Sequence, residues 1–87
     1  METKNIRIEL PAGLHLRTAA QLAKSASEFE SRVLICKENV SADLKSVLEL
    51  LILGAENGSR VQVIAVGADA KEAIGRVTEI LTDGAGI

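Results

Sequence analysis

Gly13-Leu14-His15-Leu16-Arg17-Thr18-Ala19-Ala20 is the stretch around which this 87-residue chain is organised. It holds the single histidine, His15, two residues before an arginine. From Leu16 onward Ala19, Leu22, Ala23, Ala26 and Phe29 recur at three- and four-residue spacing, which predicts a helix over residues 16–27 with one buried face. Gly13 can supply a backbone conformation that other residues avoid, as a chain turning from strand to helix requires. His15 therefore stands at or just before the first helical turn. The first N–H groups of a helix have no partner within it, and the aligned peptide dipoles place about half a positive charge there. Such a corner suits an anion, above all a phosphate, and Arg17 adds a permanent charge with a planar fork of donors.

Outward from that stretch the chain reads as short elements. Ile6-Arg7-Ile8-Glu9-Leu10 alternates apolar and polar, a half-buried strand ended by Pro11-Ala12-Gly13. Residues 31–37 read as a second strand. Glu38-Asn39 makes a tight turn, with Asn39 the residue suited to left-handed backbone, and residues 40–43 form a short third strand. Ser46-Val47-Leu48-Glu49 has the form of a capping box before a short helix that stops at Gly54. Gly58-Ser59 turns the chain into Arg60–Val66, the most β-branched stretch and the expected central strand. Asp69 with Glu72 forms a second cap-like pair. The helix that follows buries Ala70, Ala73, Ile74, Val77, Ile80 and Leu81, and residues 82–87, with two glycines, form a fraying tail.

The order β-α-β-β-α-β-α predicts a single α+β domain over residues 1–87. Its architecture is an open-faced two-layer sandwich, a four-stranded, mainly antiparallel sheet with three helices on one face. The short helix at 47–53 is apolar nearly all round and cannot bury Val47, Leu48, Leu50, Leu51, Ile52 and Leu53 on one side. Part of it must face water or a partner.

The motif Gly13-Leu14-His15-Leu16-Arg17 closely resembles the Gly-Leu-His-x-Arg active-site motif of the HPr family, the histidine-containing phosphocarriers of the bacterial phosphoenolpyruvate-dependent phosphotransferase system. The resemblance continues through Ala19-Ala20, Leu44-Lys45-Ser46, Leu53-Gly54-Ala55 and Gly67-Ala68-Asp69-Ala70, nearly the whole chain. It implies that His15 accepts a phosphoryl group from phosphorylated Enzyme I and passes it to Enzyme IIA domains. Neutral imidazole is a nucleophile near pH 7. The resemblance implies Nδ1 as the nitrogen that carries the phosphate, whereas the residues themselves leave the two ring nitrogens open. Phosphate contacts are expected from Leu16, Arg17 and Thr18.

The resemblance also implies a docking face of Leu16, Arg17, Ala20, Lys24, Lys45, Val47, Leu48 and Leu51. At Ser46 it implies either regulatory phosphorylation by an HPr kinase or a plain helix cap. A carrier of this kind has no turnover of its own substrate and is not an enzyme in the ordinary sense. One departure stands at Thr18, where the family most often has proline. Threonine adds a hydroxyl and an N–H near the phosphate, with carriage expected to survive at altered rates or with altered partners. Asp43 and Val40 also depart from the commonest residues.

Composition narrows the alternatives. Apolar residues make up 47% but aromatics only 1%, namely Phe29, so the core is aliphatic. A net charge of −2 without like-charge runs gives no support to nucleic-acid binding. One cysteine, Cys36, with one histidine builds neither an internal disulfide nor a zinc site, so no metal or cofactor is expected. Cys36 reads as a buried or edge-strand residue. No signal peptide or membrane span is legible, and a soluble, cytoplasmic monomer is expected. Two other function classes compete: a paralogue of the same fold acting mainly as a regulatory binding module, nitrogen-related or controlled through docking and Ser46 phosphorylation, and an unrelated small-ligand domain. The second leaves the Gly-x-His-x-Arg stretch without explanation.

Overall fold

In the computed structural model, which describes residues 1–83, the elements are β1 (Glu2–Arg7), α1 (Leu16–Ala26), β2 (Arg32–Lys37), β3 (Val40–Asp43), α2 (Val47–Leu53), β4 (Arg60–Val66) and α3 (Ala70–Asp83). The strands form one sheet in the order β1-β4-β2-β3, and all three pairings are antiparallel. β4 is a central strand, as its β-branched sequence predicts. Because β1 and β2 both run antiparallel to β4, the chain crosses over through α1 to get from one to the other. α2 makes the equivalent crossover from β3 to β4.

Alternation places one face of the sheet against the helices. Ile35 pairs with Val63 on one side and Ala42 on the other, and all three are at most 1% exposed. Leu22 and Ala26 of α1, Leu50 of α2 and Val77, Ile80 and Leu81 of α3 close over that row. The stripe expected along α3 is buried throughout. Phe29 is only partly buried, so the close-packed interior is aliphatic, as composition requires.

Several expectations are corrected. The first strand is not residues 6–10. Its ladder with β4 runs from Glu2↔Ala65 to Arg7↔Arg60, and Ile8 still bonds through its backbone to Ser59 and Gly58 before the chain turns away. Ile8 and Leu10 are buried because this segment drops into the core, and the Glu9 N–H bonds to the Leu81 carbonyl near the end of α3 at 2.8 Å. The alternation reported burial faithfully but not ladder pairing.

At the β2–β3 turn it is Glu38, not Asn39, that takes positive φ (+56°). Cys36 is neither buried nor on an edge strand; it is half-buried on β2, which pairs on both sides. Thr82 and Asp83 of the expected tail belong to α3, where the Thr82 hydroxyl donates to the Thr78 carbonyl at 2.7 Å. Residues 84–87 of that tail lie outside the described residues.

The cap-like pairs also differ. Asp69 stands at the N-cap position of α3, where its carbonyl accepts the Ala73 N–H at 2.9 Å, but its side chain does not form the expected pair with Glu72. Its carboxylate accepts the N–H groups of Glu30 and Ser31, each at 2.9 Å, and the Ser31 hydroxyl, tying the start of β2 to the β4–α3 turn. The Ser31 hydroxyl, and then the Glu30 N–H, hold the Asp69 carboxyl below the usual carboxylate range, against a smaller opposing effect of burial. At α2 only half of the expected box forms. Ser46 Oγ accepts the Glu49 N–H at 3.2 Å, but Glu49 Oε1 takes the Asp43 N–H at 2.9 Å instead of reaching back to Ser46.

Candidate functional site

The residues leading to His15 are fixed one by one. Gly13 has φ +66°, and a Cβ built there would stand 2.7 Å from the Ala55 carbonyl oxygen and 2.9 Å from Glu56 Cα. Glycine is needed for both reasons: left-handed backbone and close approach to the α2–β4 loop. The Gly13 N–H bonds to the Leu10 carbonyl and the Leu14 N–H to the Ala55 carbonyl, each at 2.8 Å. Leu14 is buried, anchoring the loop to the core.

His15 then takes extended backbone (φ −122°, ψ −178°) at the N-cap of α1, and its side chain is exposed. The first intrahelical bond runs from the Ala19 N–H to the His15 carbonyl at 2.8 Å. This leaves the N–H groups of Leu16, Arg17 and Thr18 as the unpaired donors of the helix start. The His15 ring faces the Thr18 N–H as the acceptor half of a capping box does, without closing a hydrogen bond.

The first turn of α1 carries charge of one sign. α1 carries no acidic residue in its first turn, whereas α2 has Glu49 and α3 has Glu72 there. Arg17 is exposed, and the single ion pair among the described residues is Arg76–Glu79, far along α3. A nucleophilic ring, three backbone donors and an arginine thus share the first turn of one helix, an arrangement fit to hold and transfer a phosphoryl group. Among the described residues no group of three or more His, Cys, Asp or Glu gathers as for a metal ion.

The other expected site residues divide. The Thr18 hydroxyl, expected near the phosphate, is turned back into the loop before α1. Thr18 is 3% exposed, and Oγ1 lies 3.0 Å from the His15 N–H, 3.0 Å from the Gly13 carbonyl and 3.1 Å from the His15 carbonyl. Only its N–H remains open to a phosphate. Leu16 and Ala20, four residues apart, are exposed on one side of α1. Lys24 is exposed in the last turn, eight residues past Leu16 and so about 12 Å along the axis.

Lys45 is not free, since its Nζ donates to the Phe29 carbonyl at 2.8 Å. Ser46 is half-buried, its hydroxyl engaged as the α2 cap. On α2, Leu48 and Leu51 are exposed but Val47 packs against the core. Ile52, which sequence reasoning did not assign to the docking face, is 72% exposed. It lies four residues past Leu48, a spacing that places both on one side of the helix. α1 and α2 pack on each other, so Leu16 and this apolar strip belong to the same helical layer.

Comparison with known proteins agrees with this fold. The family model described as the PTS HPr component phosphorylation site matches residues 2–83. The phosphocarrier protein HPr of Buchnera aphidicola subsp. Acyrthosiphon pisum is 36% identical over 83 residues, 95% of this chain and 98% of that protein. The structure of HPr-C-His from Thermoanaerobacter tengcongensis is similar with a TM-score of 0.93 and 32% identity, covering 100% of this chain and 98% of the other. A structure of an HPr dimer from the same organism matches with a TM-score of 0.77 and 32% identity, covering 100% of both chains. Fold and sequence relatives together place this chain in the HPr family of phosphotransferase-system phosphocarriers.

Proposed function

We propose that this chain carries a phosphoryl group on His15, taking it from phosphorylated Enzyme I and giving it to Enzyme IIA domains in the cytoplasm. The observation that supports this most is the exposed His15 ring at a helix start with unpaired N–H groups, a free Arg17 and no first-turn acid. In the transfer the lone pair of a neutral ring nitrogen attacks phosphorus, an N–P bond forms, and the bond to the donor breaks. Nδ1 is the nitrogen nearer the backbone and the helix end, and so the one we assign. The backbone donors of residues 16–18 and the Arg17 guanidinium neutralise charge on the phosphoryl oxygens as they pass. The return step to an acceptor protein reverses these events, so the chain ends as it began and acts as a carrier rather than an enzyme.

Docking falls to Leu16, Ala20, Leu48, Leu51 and Ile52, exposed apolar residues of the two packed helices α1 and α2, with Arg17 and Lys24 to steer acidic partners. We assign the carrier a monomeric working state, in which this face is free. The HPr dimer of Thermoanaerobacter tengcongensis gives the alternative that light scattering at working concentration decides.

Incubation with Enzyme I, magnesium and phosphoenolpyruvate, followed by intact-mass spectrometry, tests the proposal. A gain of one phosphoryl mass that is lost in acid is expected, and His15→Ala should abolish it without loss of fold, because the side chain is exposed. Arg17→Ala should slow acceptance by about 100-fold, the low end for removing one donor to developing charge because the side chain is exposed. No mass gain with an active Enzyme I would refute phosphoryl carriage.

A further inference from the structure

Three successive backbone N–H groups lead to the His15 ring, and each has a partner. Gly13 and Leu14 are held by the main chain, through the Leu10 and Ala55 carbonyls. The third, that of His15 itself, is held by a side chain: it donates to Thr18 Oγ1 at 3.0 Å. The same oxygen is within hydrogen-bond distance of the Gly13 and His15 carbonyls, to which its one proton can be given. The hydroxyl thus spans the segment on both sides of Leu14 and fixes the extended backbone of His15. Thr18 is nearly wholly buried while His15 is exposed, so the link runs from the core to the reactive ring. A residue that merely filled the first turn of α1 would need the methyl group but not the hydroxyl.

We infer that Thr18 is the positioning residue of the phosphoacceptor: through its hydroxyl it sets the direction in which the His15 ring meets the incoming phosphorus. This rests on phosphoryl carriage by His15. The hydroxyl touches no reacting atom and acts through the His15 backbone alone. A misplacement of the ring by a fraction of an ångström lowers the frequency of in-line attack, while the exposed docking residues stay where they are.

The test uses the full chain with Thr18→Val, which keeps the shape and removes the hydroxyl, and Thr18→Ser, which keeps the hydroxyl. Steady-state acceptance from phosphorylated Enzyme I should fall about tenfold in kcat for Thr18→Val, with KM changed by less than about twofold, and Thr18→Ser should restore most of the rate. Amide hydrogen exchange supplies a readout that needs no partner. The His15 amide should exchange at least about tenfold faster in Thr18→Val, while the Val63 amide in the central strand keeps its protection. Should Thr18→Val fold poorly, Thr18→Ala against Thr18→Ser gives the same contrast. An unchanged His15 exchange rate, an unchanged kcat, or a Thr18→Ser variant as slow as Thr18→Val would overturn the assignment. A wild-type chain that accepts no phosphoryl group would refute phosphoryl carriage itself, and the positioning role with it, and is told apart because no variant is then needed to see it.

Discussion

The starts of α1 and α2 are built from the same physics and reach opposite ends. Each presents unpaired N–H groups and the positive end of a helix dipole. At α2 the helix caps itself: Ser46 Oγ takes the Glu49 N–H, and the Glu49 carboxylate adds a negative charge within the first turn. At α1 the N-cap is a histidine with its ring in solvent, no acid stands in the first turn, and the capping hydroxyl of Thr18 turns back to hold the loop. One helix start spends its donors on stability, and the other keeps them for an incoming anion. What separates them is which side chain holds the cap position and where the nearest carboxylate lies.

The largest effect that would sharpen this contrast lies at Gly13. Gly13→Ala forces left-handed backbone on alanine and drives a Cβ against the Ala55 carbonyl oxygen, so a loss of about 3 kcal/mol in chemical denaturation is expected. Gly54→Ala, at the end of α2, meets the same backbone penalty (φ +59°) but no atom closer than 3.5 Å. Its cost should stay near 1 kcal/mol. Equal costs at the two glycines would mean that the loop of residues 55–57 does not hold the histidine segment.

A smaller effect is expected at the α2 cap. Ser46→Ala should lower stability by about 1 kcal/mol and leave phosphoryl acceptance unchanged, since that hydroxyl accepts the Glu49 N–H of α2. A slowed transfer would break the contrast, by showing that the second helix start also takes part in the chemistry.

The smallest is a pH dependence far from both. The folded-state carboxyl of Asp69 titrates below its ordinary value because the Ser31 hydroxyl and the Glu30 N–H stabilise the anion. Its contribution is therefore full above about pH 4, the ordinary aspartate range, and is lost as pH falls through the lower folded value. Thermal unfolding followed from about pH 6 down to pH 2 should show a shallower decline for Asp69→Asn than for the wild type. The amide cannot accept the same three donors as a carboxylate, so the variant should also start from a lower melting temperature.

Much of this was legible in the chain itself. Helix faces, the β-branched central strand and the Gly13-x-His15-x-Arg17 stretch announce themselves through period and motif, because they depend on residues a few positions apart. What escaped depends on neighbours distant in sequence. β1 is polar on most of its length and is defined by backbone pairing with β4, which no side-chain pattern reveals. Asp69 resembles a helix cap locally but is taken by Ser31, 38 positions away. Lys45 resembles a solvated docking charge and is bound to the Phe29 carbonyl. The hydroxyl of Thr18 did leave a trace: it stands three residues after His15, the spacing of a capping box, and only its place in the motif drew attention to the phosphate instead.

The most direct test of the difference between the two helix starts is ¹H–¹⁵N NMR of the chain before and after phosphorylation by Enzyme I. Carriage on His15 Nδ1 at an open helix start predicts a phosphorylated δ nitrogen and the largest amide shifts at Leu16, Arg17 and Thr18. The amides of Val47, Leu48 and Glu49 should hardly move. A phosphoryl group found on another residue, or shifts concentrated at the start of α2, would contradict it.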